Sequence, residues 1–314
     1  MTNANTADKV QSAFPPTFTY SRFRFRVKMM DKAVLPAFKG SMLRGVLGVA
    51  LHKLNCQSRV PCKRCKLAQN CAYSILFKPE LVLPNKLPTP PFVLFAPGNK
   101  EVFNNGETFE FFITLFGEYS RYFDYFLNAF NYGQRMGLSN RRIPYELEQI
   151  VDDVSGEWVY RDREVNREWK VSSANLSSLP SSGSPHRLGI EFLTPIFLKR
   201  DKKPICFPDI KEVLRAMIRR IHILNRTIWK DDGFEIGKEF LDELKVSINR
   251  YDLKYEKTFK TGGFGTKVEL SGFTGIMELS GDLEMVYPLL RAGEILHIGA
   301  RTSYGLGKYK LIVL

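Results

Sequence analysis

The chain has no run of about 18 apolar residues, so no membrane-spanning helix is expected. Its opening stretch, Met1 to Pro16, is polar and lacks the apolar core of a secretory signal. A cytoplasmic protein is expected, with reduced thiols. Histidine is scarce: His52, His186, His222 and His297 are the only four. No HExxH, GxSxG or Walker-type phosphate loop is present, which argues against HExxH-type zinc peptidases, serine hydrolases with a nucleophile elbow and P-loop nucleotide hydrolases. Acidic residues are also short, 33 against 46 Lys and Arg, for a formal charge of +13. The obvious acidic pairs are Asp152-Asp153 and Asp231-Asp232. Neighbouring side chains on a strand point apart, so a two-metal hydrolytic site is not expected.

What is there suits an anionic polymer. The basic excess asks for an anionic partner, and 13% aromatic residues offer rings on which bases stack. A length of 314 residues with 44% hydrophobic composition fits two domains. Residues 1–16 read as a disordered lead-in. From Tyr20 to Met30 the chain alternates, with Phe23, Phe25, Val27 and Met29 on one face and Arg22, Arg24, Arg26 and Lys28 on the other. Period-two alternation means a half-buried antiparallel strand, and a wet face of cations alone is a candidate RNA surface. A helix follows over Gly40–Leu54, with Leu43, Leu47, Ala50, Leu51 and Leu54 as its core stripe. Thr108–Phe116 reads as a strand, Tyr119–Phe130 as a helix and Pro144–Val151 as a strand.

Ser172 to Pro185 holds seven serines, two prolines and a glycine, and is the natural linker. Beyond it come a strand (188–198), a helix (208–229), two strands (244–255 and 268–279), a helix (283–292) and strands at 295–298 and 309–313. Strand-helix-strand-strand-helix-strand is the ferredoxin-like order. The expected fold is α+β: two tandem ferredoxin-like (RRM-like) domains, 17–171 and 186–314, joined by 172–185. The first carries a cysteine-knuckle insertion at 55–107. The segment Gly133-Gln134-Arg135-Met136-Gly137-Leu138 resembles a weaker copy of the C-terminal loop, which hints at internal duplication.

Four of the five cysteines lie close together at Cys56, Cys62, Cys65 and Cys71. Clustered reduced thiols most often hold a structural zinc, though an iron–sulfur cluster uses the same ligands. Lys63, Arg64 and Lys66 would offset the charge of four thiolates. Cys206 reads as a lone thiol.

The tail, Glu294 to Leu314, holds glycines at 299, 305 and 307 together with Arg301, Tyr304 and Lys308. Glycine lets a backbone approach a ligand closely, and free amides suit an anion. These glycines run into a terminal strand rather than a helix, so an RNA backbone fits better than a mononucleotide. RNA carries its own nucleophile, a 2′-hydroxyl beside each phosphorus, so a protein need add only a proton-transfer group and cations. On the first helix Arg44, Gly48 and His52 are spaced by four, with Ser41 and Gly45 alongside, making a small polar stripe that would admit an RNA backbone. The alternative is that His52 merely complements the helix C-terminus. His297 alternates with Ile295 and Gly299 near Arg301 and Tyr304; its alternative is a buried histidine hydrogen-bonded in the sheet. His222 shares a helix face with Lys211, Arg215, Arg219 and Arg226, a solvated or RNA-contacting stripe.

Two stretches of the tail, Leu289 to Gly299 and Thr302 to Tyr309, resemble the C-terminal signature of CRISPR precursor-RNA processing endoribonucleases. These belong to the repeat-associated mysterious protein (RAMP) superfamily. Phe38 to Gly45, the knuckle ending in Cys71 to Phe77, and Phe192 to Ile196 match as well. The resemblance implies paired ferredoxin-like domains that bind CRISPR repeat RNA. It implies cleavage without metal, leaving a 2′,3′-cyclic phosphate, with guide RNA (crRNA) and other CRISPR effector subunits as partners. It favours His52 as catalyst, with His297 second and with Arg44 and Lys53 stabilising charge. A non-catalytic guide-RNA-binding subunit of an interference complex is the alternative.

Overall fold

The alternating stretch at Tyr20 becomes strand β1, Thr19–Met29, and buries Phe23, Phe25, Val27 and Met29. The computed structural model describes residues 14–58, 60–83, 88–179, 185–201, 203–234, 239–261, 267–284 and 286–314. The chain divides into two units. One comprises Thr19–Ala174 with Arg226–Lys230; the other comprises the residues up to Phe18, Asn175–Asn225 and Asp231–Leu314. The first thirteen positions of the expected lead-in lie outside the described residues. Phe14 is not loose: it is buried against Phe18 and Phe234.

In the first unit β1 is followed by helices α1 (Gly40–Asn55) and α2 (Ala72–Phe77) and by strands β2 (Phe92–Phe95) and β3 (Thr108–Phe116). Helix α3 (Phe123–Gly133) and strands β4 (Tyr145–Asp152), β5 (Trp158–Arg161) and β6 (Glu164–Val165) complete it. The antiparallel sheet runs β2-β3-β1-β4-β5-β6. Its first four strands with α1 and α3 make the ferredoxin-like arrangement. The helices cover one face through an aromatic core. Phe25 and Phe111 are register partners with rings 4.9 Å apart, and Phe130 of α3 packs on both.

The expected insertion at 55–107 therefore contains one of the fold's own strands. Phe92, Val93 and Leu94 are buried on both faces, so β2 shows no alternation by which to recognise it. Leu54, placed in the core stripe of α1, is 46% exposed. The helix expected over Tyr119–Phe130 opens as a 3₁₀ segment, Gly117–Tyr122, before α3.

The second unit runs β7 (Arg187–Ile196), a hairpin of β8 (Leu198–Arg200) and β9 (Lys203–Ile205), α4 (Ile210–Leu224), β10 (Val246–Glu256), β11 (Gly272–Gly281), α5 (Tyr287–Leu296) and β12 (Tyr309–Val313). Its antiparallel sheet order, β10-β11-β7-β12, repeats that of the first unit. Helix α4 starts at a capping box: Glu212 N–H donates to Asp209 Oδ1 (2.7 Å) and Asp209 N–H to Glu212 Oε2 (3.0 Å). It gives way to a π-helical turn, Asn225–Trp229. The strand expected over Ile295–Ile298 does not form. Leu289, Leu290, Gly293 and Leu296 keep a helical period on the core, so α5 continues through Leu296 and takes up half of that run.

In each unit the helix before the last ferredoxin-like strand is pinned by a tyrosine. Tyr145 Oη donates to Phe130 O (2.7 Å), and Tyr309 Oη donates to Leu290 O (2.5 Å). Gly133 and Gly293, each three residues beyond the accepting carbonyl, have no side chain because the phenol occupies that space. Burial pushes both hydroxyls above the usual phenol range, which keeps them protonated donors. Tyr309→Phe is expected to lower the unfolding free energy by about 1–2 kcal/mol in a urea titration. Gly293→Ala should cost more, because its methyl would overlap the hydroxyl. Wild-type midpoints for both variants would show that the contact contributes nothing.

Candidate active site and RNA interface

His52 and Lys53 sit exposed in the last turn of α1, where the helix dipole favours cations. Arg44 lies on the same helix face two turns earlier, with Gly48 between. The stripe does not stay open along its length. Phe77, the last residue of α2, fills the space at Gly48, where a methyl would stand 2.5 Å from its ring. Arg44 caps that ring with its guanidinium 4.0 Å from the centroid. Tyr73 stacks on Phe77 (5.7 Å, 19° between planes) and meets the His52 ring edge to face (4.9 Å, 77°). Ser41 is buried, and Gly45 has nothing within 4 Å of its missing side chain. The structure thus gathers Arg44, His52, Tyr73 and Phe77 in one cluster. Sequence reading missed the two rings, because contacts between segments this far apart follow no periodicity.

The cysteine segment is made of short turns. Cys65 N–H donates to Cys62 O (3.2 Å), and Ile75 N–H donates to Cys71 O (2.9 Å) at the start of α2. All four thiols are half-buried, and Cys56 Sγ lies 3.1 Å from Ser58 O. Burial pushes the Cys62 thiol up, and the neighbouring Cys56 and Cys71 push it further. Burial likewise raises the Tyr73 hydroxyl, with Cys62 adding to the rise and Arg44 opposing it, so the phenol stays neutral. Among the described residues no group of three or more Cys, His, Asp or Glu side chains is arranged to hold a metal. The expectation of zinc at Cys56, Cys62, Cys65 and Cys71 is therefore not supported by this arrangement.

The cationic face of β1 is partly balanced in three dimensions. Arg26 pairs with Glu110 of β3 (2.8 Å), and Arg22 pairs with Asp153 just after β4 (3.3 Å). Arg24 lies between the two acids, 3.9 Å from Glu110 and 3.7 Å from Asp153. Arg22 also covers the Phe112 ring at 4.4 Å. The neighbouring strands supply the negative charge that β1 itself lacks, in register positions invisible along one strand. Lys28 shares this face at the register of Glu146. Asp152 is buried and accepts from Trp169 Nε1 (3.2 Å) and from the amides of Ser172 (3.0 Å) and Val154 (3.0 Å). Its carboxylate is a structural acceptor.

The glycine-rich loop belongs to the second unit. His297 ends α5 with φ 56° and is 2% exposed, its Nδ1 3.1 Å from Leu306 O. It is buried, as in the alternative reading, but beneath the loop rather than in a sheet. Gly299, Gly305 and Gly307 all have positive φ, as does Arg301. A methyl on Gly307 would overlap the Ile298 backbone, and one on Gly299 would come within 2.7 Å of Phe197 O. The Gly305 amide donates to Thr302 O (2.9 Å) and the Gly307 amide to Pro195 O (3.1 Å). These glycines thus serve close packing, and two of the expected free amides are engaged, one within the loop and one by β7. Arg301 is exposed at the loop surface and Tyr304 is half-buried there. Lys308 Nζ donates to Glu294 O, and its backbone amide to Thr194 Oγ1 (2.9 Å).

Residues 190–309 match the family model described as CRISPR-associated endoribonuclease Cas6, and residues 18–172 match a model described as an N-terminal domain. An uncharacterized protein of Archaeoglobus fulgidus is 28% identical over 285 residues, spanning 88% of this chain and 92% of that protein. Among solved structures, a Cas6 of Thermus thermophilus in its product complex superposes with a TM-score of 0.57 at 14% identity, covering 94% of this chain and 99% of that one. A partial Cas6–RT–Cas1–Cas2 complex gives a TM-score of 0.60 at 13% identity, covering 96% of this chain and 47% of that one. At these identities the likeness establishes the fold. Among the described residues no helix is long and apolar enough to cross a membrane.

The packing of the loop yields a direct test. Gly307→Ala is expected to weaken RNA binding at least about tenfold in a filter-binding titration, since a methyl there forces the 298–307 crossing apart and a left-handed alanine adds about 1 kcal/mol of strain. Arg301→Ala, exposed and away from the crossing, should weaken binding while leaving thermal stability unchanged. Wild-type binding by both variants would remove the loop from the interface.

Proposed function

We propose that this chain, a Cas6-type protein with the RAMP fold, binds CRISPR repeat RNA and cuts precursor transcripts into guide RNAs without a metal ion. His52 carries the reading: an imidazole at the exposed end of the first helix, with Lys53 beside it and Arg44 on the same face. In the reaction the 2′-oxygen attacks the adjacent phosphorus, the bond from phosphorus to the 5′-oxygen breaks, and a 2′,3′-cyclic phosphate and a 5′-hydroxyl remain. His52 takes the proton from the 2′-hydroxyl or gives one to the departing oxygen, work suited to an imidazole near neutral pH. Lys53 and Arg44 stabilise the charge that builds on the phosphate. Arg301, Tyr304 and Lys308 of the glycine-rich loop hold the repeat, with Arg22, Arg24, Arg26 and Lys28 as a second contact surface. His297 serves the loop by fixing the Leu306 carbonyl.

Three of the four carboxylates in the acidic pairs already have partners within the fold. Asp152 and Asp153 are committed to amides and Arg22, and Asp231 accepts from Thr17 Oγ1 (2.9 Å) and the Gly233 amide (3.0 Å). The protein acts in the cytoplasm, with guide RNA and other CRISPR proteins as partners.

Labelled single-stranded repeat RNA in excess EDTA, with a 2′-deoxy substitution at each nucleotide in turn, tests the chemistry. Cleavage should persist in EDTA and vanish at one deoxy position. His52→Ala should slow it by about 10²–10⁴-fold with RNA affinity retained. A requirement for Mg²⁺, or cleavage of every deoxy substrate, would overturn the 2′-hydroxyl mechanism. Tight binding without cleavage would instead assign the guide-binding, non-catalytic role.

A further inference from the structure

His52 has a placement problem that the cysteine-rich segment solves. A histidine on the exposed last turn of a helix samples several rotamers, whereas proton transfer needs it within about 3 Å of one oxygen. Resting on the assignment of His52 above, we propose that Tyr73 is a positioning residue that holds the imidazole through its ring, not its hydroxyl. The two rings meet edge to face at 4.9 Å, a preferred aromatic geometry.

Tyr73 is itself held in place. Its other side stacks on Phe77, and Phe77 is seated in the space left by Gly48 and capped by Arg44. The ladder Arg44–Phe77–Tyr73–His52 thus leaves α1 and returns to it, so the helix that bears the histidine also anchors what orients it. Both rings lie on α2, which starts directly after Cys71 and buries Ala72, Ser74, Leu76 and Phe77. The small size of Gly48, read from sequence as room for RNA, is explained by the ring it admits.

Single-turnover cleavage and RNA binding by the full chain separate this role from a merely structural one. Tyr73→Ala should cut the cleavage rate about 10²-fold, the scale expected when a catalytic group is misplaced by an ångström, with RNA affinity unchanged to within about threefold. Tyr73→Phe should retain the rate to within about twofold, since the ring remains. Gly48→Ala should also slow cleavage, because it displaces Phe77 without altering Tyr73 or His52. Thermal melts accompany each variant. If Tyr73→Ala melts early, Tyr73→Leu keeps apolar volume in the gap, and the same rate loss at a wild-type melting temperature supports the proposal. Wild-type cleavage by Tyr73→Ala or Tyr73→Leu, with His52→Ala inactive, overturns the positioning role and leaves the function standing. Equal losses in Tyr73→Phe and Tyr73→Ala also overturn it, since the hydroxyl would then be the working group. Normal cleavage by His52→Ala overturns the catalytic assignment itself.

Discussion

A phenol hydroxyl resting where a helical glycine has no side chain closes both halves of this molecule. In each, the tyrosine is the first residue of the last ferredoxin-like strand, and it donates to a carbonyl one turn before the glycine. The bond satisfies a buried donor that would otherwise cost about 1–3 kcal/mol, and the glycine lets the strand approach the helix closely. The final strand then pairs with the central first strand, β4 with β1 and β12 with β7. The same device in both units fits the internal duplication suggested by the two Gly/Arg segments.

The strands and helices with one buried face were legible in the sequence. Thr108–Phe116 and Tyr309–Val313 fall at the expected bounds, and β1 and α1 within a residue. What failed were segments whose environment hides their period. Strand β2 is buried on both sides, and Ile295 and Leu296 continue a helix whose own spacing reaches them. At the candidate site His52 was visible as a residue type in a position, but its setting was not. Tyr73 and Phe77 come from another segment, and nothing in their local pattern announces the glycine they pack against.

Two readings of charge and glycine changed meaning in three dimensions. A strand with four cations on one face looked unbalanced until Glu110 and Asp153 arrived from its neighbours. Exposed pairs of this kind contribute little to stability, but they fix side-chain direction and soften the field felt by an anion. The glycine-rich loop looked like a row of amides waiting for phosphate. Its tight crossings instead make it a stiff platform, which under the proposed function leaves RNA contact to the side chains it displays. A stiff platform loses less conformational entropy on binding than a mobile loop does.

The phenol contacts also govern how this protein can vary. Helix and strand are fastened to each other independently of the peptide that joins them, so that peptide works as a handle bolted at both ends. Lengthening such a handle costs only the slow growth of loop-closure entropy, about 0.6 kcal/mol per doubling. The handle between Gly133 and Tyr145 is short and turns through Gly137, with Leu138 bridged to Ile143. The handle between Gly293 and Tyr309 is longer and carries the glycine-rich loop. Change is tolerated best where neither bolt nor the packed glycines at 299 and 307 are disturbed, as at the exposed Arg301.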